Sequence, residues 1–127
     1  MAITATIDPN QATAFIHKSG QIAPGELLKG IQNLVSSPKF GDLTKIFIDA
    51  TRADFRNLGY NEICNYAEYC GTELNDFRIV IVAPTDIAFG VARMFETLSD
   101  IENLLITRNA RIASAWLGVH YKCRIDE

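Results

Sequence analysis

The 127-residue sequence lacks most of the features that point directly to an activity. It has 2 histidines and 3 cysteines, and no two cysteines form a Cys-x-x-Cys pair, so neither a zinc site nor a dithiol site is predicted. It also contains no Gly-x-Ser-x-Gly, Walker or Gly-x-Gly-x-x-Gly motif. From these absences we expect no metal, no cofactor and no enzymatic activity.

An excess of basic charge and long apolar runs are missing as well. The net charge is −3, which argues against a nucleic-acid partner. The longest aliphatic run, 79–83, is far shorter than the roughly 20 residues of a membrane helix, and no secretory signal pattern is visible. What is present is ordinary: 48% hydrophobic and 21% charged residues. This composition predicts one cytoplasmic globular domain over residues 1–127, with no membrane span.

Hydrophobic periodicity predicts an α/β fold. Apolar and threonine residues alternate over 2–7, turn residues follow at 8–10, and alternation resumes over 12–16, which indicates an N-terminal antiparallel hairpin. The segments 45–50 and 77–83 are apolar on both faces, as expected for parallel strands that are covered on both sides. Helices are predicted from about 24 up to Pro38, over 59–71, from 86 and over 109–117, with a further strand over 101–107.

Finer expectations concern which faces are buried. The pattern predicts that the helix from 86 turns a helical stripe inward, formed by Ile87, Val91, Met94 and Leu98. The last helix is expected to bury Ile112, Ala113 and Trp116. Strict alternation over 119–125 predicts an extra C-terminal edge strand, which would pair within the molecule or with a second copy. The three cysteines, Cys64, Cys70 and Cys123, are expected to be buried or half-buried reduced thiols.

Polar residues follow the predicted parallel strands, where α/β sheets commonly bind ligands. The candidate binding residues at these strand ends are Asp49, Thr51, Arg52, Asp86 and Arg108. Capping and loop fixing by Thr85, Asp86 and Asp49 explain the pattern more simply. The sharper alternative is an anion site that uses Arg52 and Arg108.

The helix from 86 carries two further candidates on the face opposite its predicted stripe. Phe89 stands there with Arg93, and it is either covered by the C-terminal segment or exposed as an anchor for another chain. Phe55 and Tyr60 could extend the same patch.

Several segments resemble the bacterial SpoIIAA-like proteins, a family often described as STAS-domain or CRAL-TRIO-like. The likeness covers nearly all of residues 1–118 and is carried by IFIDATRAD at 46–54, RIVIVAP at 78–84, FGVARMFE at 89–96 and AWL at 115–117. It implies a βα superhelix with a mixed, mostly parallel sheet. Relatives are phosphorylated in an Asp-Ser-Ser-Gly type segment that is absent here. Between residues 45 and 70 the only serine or threonine is Thr51, which leaves it as a weak phosphoacceptor candidate.

Three functions remain open. The leading expectation is a non-catalytic regulatory module that binds a partner protein through Phe89, Arg93 and the loop at Thr51 and Arg52. The alternative is a carrier or sensor of a small apolar or amphipathic ligand, as the CRAL-TRIO likeness implies. An enzyme would need a mechanism built on Asp49, Arg52 and Asp86. We also expect a homodimer, because an alternating tail would expose a strand edge.

Overall fold

Strands and helices alternate along residues 3–121, which are the residues described in the computed structural model. In chain order the elements are β1 (Ile3–Asp8), β2 (Thr13–Gln21), α1 (Glu26–Val35), β3 (Lys45–Asp54), α2 (Tyr60–Glu73), β4 (Arg78–Val82), α3 (Asp86–Ser99), β5 (Leu104–Thr107) and α4 (Ala110–Leu117). A short 3-10 helix, Phe40–Asp42, precedes β3. Every element predicted between residues 3 and 117 is present, with bounds that differ by a few residues.

The sheet has five strands in the order β1-β2-β3-β4-β5. β1 pairs with β2 in an antiparallel hairpin, and the remaining neighbours are parallel. The predicted α/β class is therefore confirmed, together with the N-terminal hairpin and the mixed, mostly parallel sheet.

The two faces of the sheet are covered differently. From β2 to β5 the chain advances by one strand at a time, always in the same direction across the sheet. Because the parallel crossovers share the same handedness, their helices lie on one side of the sheet. The larger hydrophobic core agrees, because it joins α1, α2 and α3 to inward residues such as Ile48 and Ile81. We call this side the three-helix face. The opposite side, the α4 face, has a smaller core around Phe47, Val80 and Leu117.

A bulge near the end of β3 changes the register between β2 and β3. His17 pairs with Asp49, but Ser19 pairs with Arg52, so β3 has one more residue than β2 over this stretch. Just before the bulge, the side chains of consecutive residues of β2 point to opposite faces of the sheet, because strand side chains alternate. His17 lies on the α4 face and Lys18 on the three-helix face.

The predicted inward stripe of α3 is wrong by one residue, or about 100° of helix rotation. The residues that α3 buries are Ala88, Ala92, Phe95 and Ser99, whereas Ile87 is 56% exposed and Leu98 is 36% exposed. Close packing between α2 and α3 explains the difference. A Cβ added at Gly71 of α2 would lie 2.5 Å from the Ser99 carbonyl oxygen, so small residues are required at this contact. The need for a small residue at this contact therefore determines which face of α3 is buried, although most of the larger apolar residues of α3 lie one position earlier in the sequence.

The expectation for α4 is correct in part. Ala113 is buried and Trp116 is half-buried, but Ile112 is 55% exposed. Trp116 is covered by Arg78, whose guanidinium lies 4.3 Å from the indole ring and donates to the Trp116 carbonyl oxygen at 2.9 Å. Because Trp116 and Leu117 fill the space beside β4, Ile112 is left on the outer side of this short helix.

The predicted C-terminal strand over 119–125 lies mainly outside the described residues. Its first three residues, 119–121, are described and are not in a strand. Val119 is instead buried in the core of the α4 face. Of the cysteines, Cys64 is half-buried and Cys70 buried, both as free thiols, which confirms the expectation for these two. Cys123 lies outside the described residues.

Candidate functional site

Thr85 caps a helix, as the capping interpretation expects, and Asn109, which was not predicted, caps another. The Thr85 hydroxyl accepts a hydrogen bond from the Ala88 amide at 3.1 Å at the beginning of α3. The Asn109 side chain accepts from the amides of Arg111 and Ile112 at the beginning of α4. These bonds satisfy amides that have no partner within the helix, so both side chains have a structural role.

Arg108 bridges the loops that leave β4 and β5. Its guanidinium donates to the Pro84 carbonyl oxygen at 2.9 Å and lies 3.0 Å from the Asp86 carboxylate. These loops lead to helices on opposite faces, and that arrangement commonly opens a ligand crevice between them. Arg108 already spans the crevice. Arg52 stands at the end of β3, two strand positions away, so about 10 Å separates the two backbones. The backbones of the two arginines in the predicted anion site are thus not adjacent, and Arg108 already pairs with Asp86.

Phe89 is half-buried and packs against the core of the three-helix face. The Arg108 guanidinium covers its ring, 4.6 Å from the ring centroid, and the predicted cover by the C-terminal segment concerns residues that lie mainly outside the described ones. Arg93 is exposed on the same helix and lies 3.2 Å from Glu96. The aromatic anchor expected for a partner chain is therefore largely occupied within the molecule.

Asp49 is buried on the α4 face, in a small polar cluster. One carboxylate oxygen accepts from the Thr51 amide at 3.0 Å, and the other accepts from the Tyr121 hydroxyl in a short hydrogen bond. His17 Nδ1 lies 3.6 Å from the second oxygen and is buried, with no hydrogen-bond partner within the described part of the chain. Thr51 itself is half-buried. Asp49 thus fixes the backbone at the bulge of β3 and holds the chain that follows α4.

The segment after α4 lies across the aromatic residues of the α4 face. Tyr121 stacks on Phe15 with ring centroids 5.3 Å apart and contacts Phe47 at 4.2 Å. The Gln11 side chain pairs with both backbone groups of His120, at 2.7 Å and 3.3 Å. This attachment was not predicted, because it depends on the pairing of β2 with β3, which brings Phe15, Phe47 and Asp49 together only in the folded sheet.

The three-helix face contains a cavity under the first halves of α2 and α3. Its volume is about 30 Å³, and its walls are almost entirely apolar; Ile48, Ala50, Phe55, Val91 and Phe95 are among the lining residues. One cationic side chain, Lys18, also lines it, and Lys18 is only 6% exposed. A buried lysine is rare, since burying an unpaired charge is costly.

Lys18 is held by an aromatic hydroxyl. Its Nζ donates to the Tyr66 hydroxyl at 3.3 Å and lies 4.9 Å from the Tyr66 ring centroid. No carboxylate of residues 3–121 forms a salt bridge with it. Burial lowers the pKa of Lys18 from 10.5 to about 8, and the nearby Cys70 opposes this only in part. Burial also raises the pKa of Cys70 to about 12 and that of Tyr66 well above its usual range, so both stay neutral at physiological pH.

Sequence reasoning missed Lys18, although a signal for it existed. Ala14 and Ile16 were recognised as one face of the second hairpin strand, and Lys18 continues the same alternation. β2 runs on to Gln21, so the period places Lys18 on the buried face. A charged residue at a core position of an alternating strand is the pattern that identifies it.

Within the described residues, no group of three or more His, Cys, Asp or Glu side chains is arranged to hold a metal ion. Across residues 3–121, no helix combines the length and the apolar character needed to cross a membrane. No protein-family model matches the chain, and no curated protein matches it significantly.

Proposed function

We propose that this chain is a non-catalytic binding module whose ligand is a small amphipathic molecule, the alternative that the sequence left open. One observation carries the proposal: a buried lysine that has no ionic partner among residues 3–121 lines an apolar cavity. Apolar walls with one or few polar groups are typical of small-molecule sites. The arrangement suits a ligand with an apolar body and one polar end.

The cavity must widen to hold such a ligand. A volume of about 30 Å³ accommodates about two water molecules. The lining residues Ile63 and Ala88 lie in the first halves of α2 and α3, so a small separation of these helix ends would enlarge the space. Ligand uptake is therefore expected to loosen the beginnings of α2 and α3 and leave the sheet in place.

Native mass spectrometry of the freshly purified full-length chain tests the proposal. We expect a non-covalent adduct that disappears on denaturation, and stabilisation of the stripped protein by short amphiphiles such as hexanoate or hexan-1-ol. An Ala92→Leu variant, which fills the cavity, should lose both effects, while Ala115→Leu on the exposed side of α4 should keep them. A bare polypeptide mass together with no stabilisation by either compound would refute the proposal.

We further propose that the fold is the βα superhelix of the SpoIIAA-like proteins, in a cytoplasmic protein. The sequential strand order and the placement of α1, α2 and α3 on one face support the superhelix. The resemblance also supports a second candidate function, regulation through a partner protein. For that candidate the exposed residues Tyr60 and Ile87, which lie in the first turns of α2 and α3, replace Phe89 as the apolar contacts.

Affinity capture from a native lysate tests this second candidate. We expect the wild-type chain to retain one specific protein, which the Ile87→Ser variant loses and the Ile112→Ser variant, changed at an exposed site on α4, keeps. The homodimer also stays a prediction. Sedimentation velocity should show a dimer for the full chain and a monomer for a chain ending at Gly118; equal masses would mean that the tail holds no assembly.

A further inference from the structure

The residues around the cavity also indicate the chemistry of the ligand's polar end, an inference that rests on the proposed function. We propose that Lys18 and Tyr66 form a binding site for a carboxylate, so that the ligand of the cavity is a small monocarboxylic acid with an apolar body. Lys18 supplies a full positive charge at the wall of the cavity, and the residues around it are otherwise apolar. An anion that entered with its apolar body would supply the counter-charge that residues 3–121 do not provide.

The donors on this wall match a carboxylate better than a phosphate. The Tyr66 hydroxyl accepts a hydrogen bond from Lys18 and donates its own hydrogen to Cys70, so it holds the ammonium in place at the wall of the cavity. The ammonium has three N–H donors, and two of them remain for a ligand. Two adjacent donors can satisfy the two oxygens of a carboxylate. A phosphate dianion would bury a second negative charge and further acceptor oxygens with no partner among these residues.

Binding is expected to depend on the charge of Lys18. The titratable groups that act on it are Tyr66 and Cys70, both neutral below about pH 10 because their pKa values are raised. The pKa of Lys18 is about 8, so its ammonium is the main form at pH 7 and is lost as the pH rises further. Carboxylate affinity should therefore be constant between about pH 6 and pH 7, where the ligand stays ionised, and fall about tenfold per pH unit above about pH 8.

Isothermal titration of the stripped full-length protein with a matched pair of probes tests the inference. Hexanoate and hexan-1-ol share an apolar chain of similar length and differ in charge. We expect hexanoate to bind at least about tenfold more tightly than hexan-1-ol at pH 7, which corresponds to about 1.4 kcal/mol. The Lys18→Met variant should lose this preference and should still bind hexan-1-ol. Lys39→Met removes an exposed lysine outside the cavity and should change neither affinity.

The outcomes separate the two proposals. If both probes bind with equal affinity to the wild-type chain and to Lys18→Met, the carboxylate site is wrong and the apolar binding function stands. If neither probe binds, the carboxylate site is wrong, and a bare polypeptide mass in addition would refute the binding function as well. Should Lys18→Met fail to fold, the wild-type pH series decides, because a preference for hexanoate that persists unchanged from pH 7 to pH 9.5 would exclude Lys18 as its source.

Discussion

Replacing Lys18 by methionine should stabilise the protein at neutral pH and lose that advantage in alkali. Unfolding returns Lys18 to its ordinary pKa of 10.5, whereas folding lowers this value to about 8. Below about pH 8 both states carry the proton, and the folded state bears the full cost of the buried charge. At 1.36 kcal/mol per unit of pKa the cost is about 3 kcal/mol. Between about pH 8 and 10.5 the unfolded chain binds more protons, so the stability of the wild type rises with pH.

Methionine keeps the apolar length of the side chain and removes the charge. It also removes the hydrogen bond to Tyr66, at a cost of about 1 kcal/mol. Lys18→Met is therefore expected to be about 2 kcal/mol more stable than the wild type at pH 7 and about 1 kcal/mol less stable above pH 10.5. Urea unfolding of both proteins at matched pH measures the difference, with Lys39→Met as the exposed control. A stability difference that does not change between pH 7 and pH 10.5 would refute the assignment of Lys18 as a desolvated ammonium.

Three further changes probe other parts of the molecule. Gly71→Ala should lower the free energy of unfolding by about 1–3 kcal/mol, because its Cβ meets a backbone carbonyl of α3. The control Gly90→Ala, in open space on a helix, should raise the free energy of unfolding by up to about 1 kcal/mol. Similar thermal midpoints for the two variants would contradict the close packing. Tyr121→Phe removes the hydroxyl that Asp49 accepts from and should cost about 1–3 kcal/mol in urea unfolding, and an unchanged midpoint would mean that this contact contributes nothing. Asn109→Ala should cost about 1 kcal/mol by thermal unfolding, a loss that would be missing if the cap did not form.

Much of the fold follows from local patterns. The hairpin can be predicted because alternation and turn chemistry agree at 2–16, and β3 and β4 can be predicted because they are apolar on both faces. The α3 stripe was misplaced because Gly71 sits where α2 meets α3, and no pattern within α3 records that requirement. Periodicity identifies helices well, but the neighbouring element selects the buried face.

The candidate sites depended on tertiary pairing and were harder to predict. Lys18 could have been recognised by extending the alternation of β2, since its position is local information. The cluster of Asp49, Tyr121 and His17 could not, because it needs both the β2–β3 register and the return of the chain after α4. Arg108 was recognised as a binding candidate, but its pairing with Asp86 across two loops arises only when β4 and β5 are neighbours.

The division of the sheet into two unequal faces gives the protein separate optical reporters. Its single tryptophan, Trp116, lies on the α4 face under Arg78, across the sheet from the cavity. Indole emission should therefore respond when the segment around Tyr121 is released and remain almost constant while the cavity fills. Tyr66, which lines the cavity and packs on Phe95, supplies near-ultraviolet absorption and circular dichroism on the other side. Indole emission, excited beyond the tyrosine absorption band, can thus follow the α4 face without any added label, whereas the tyrosine signals also include Tyr121 of that face.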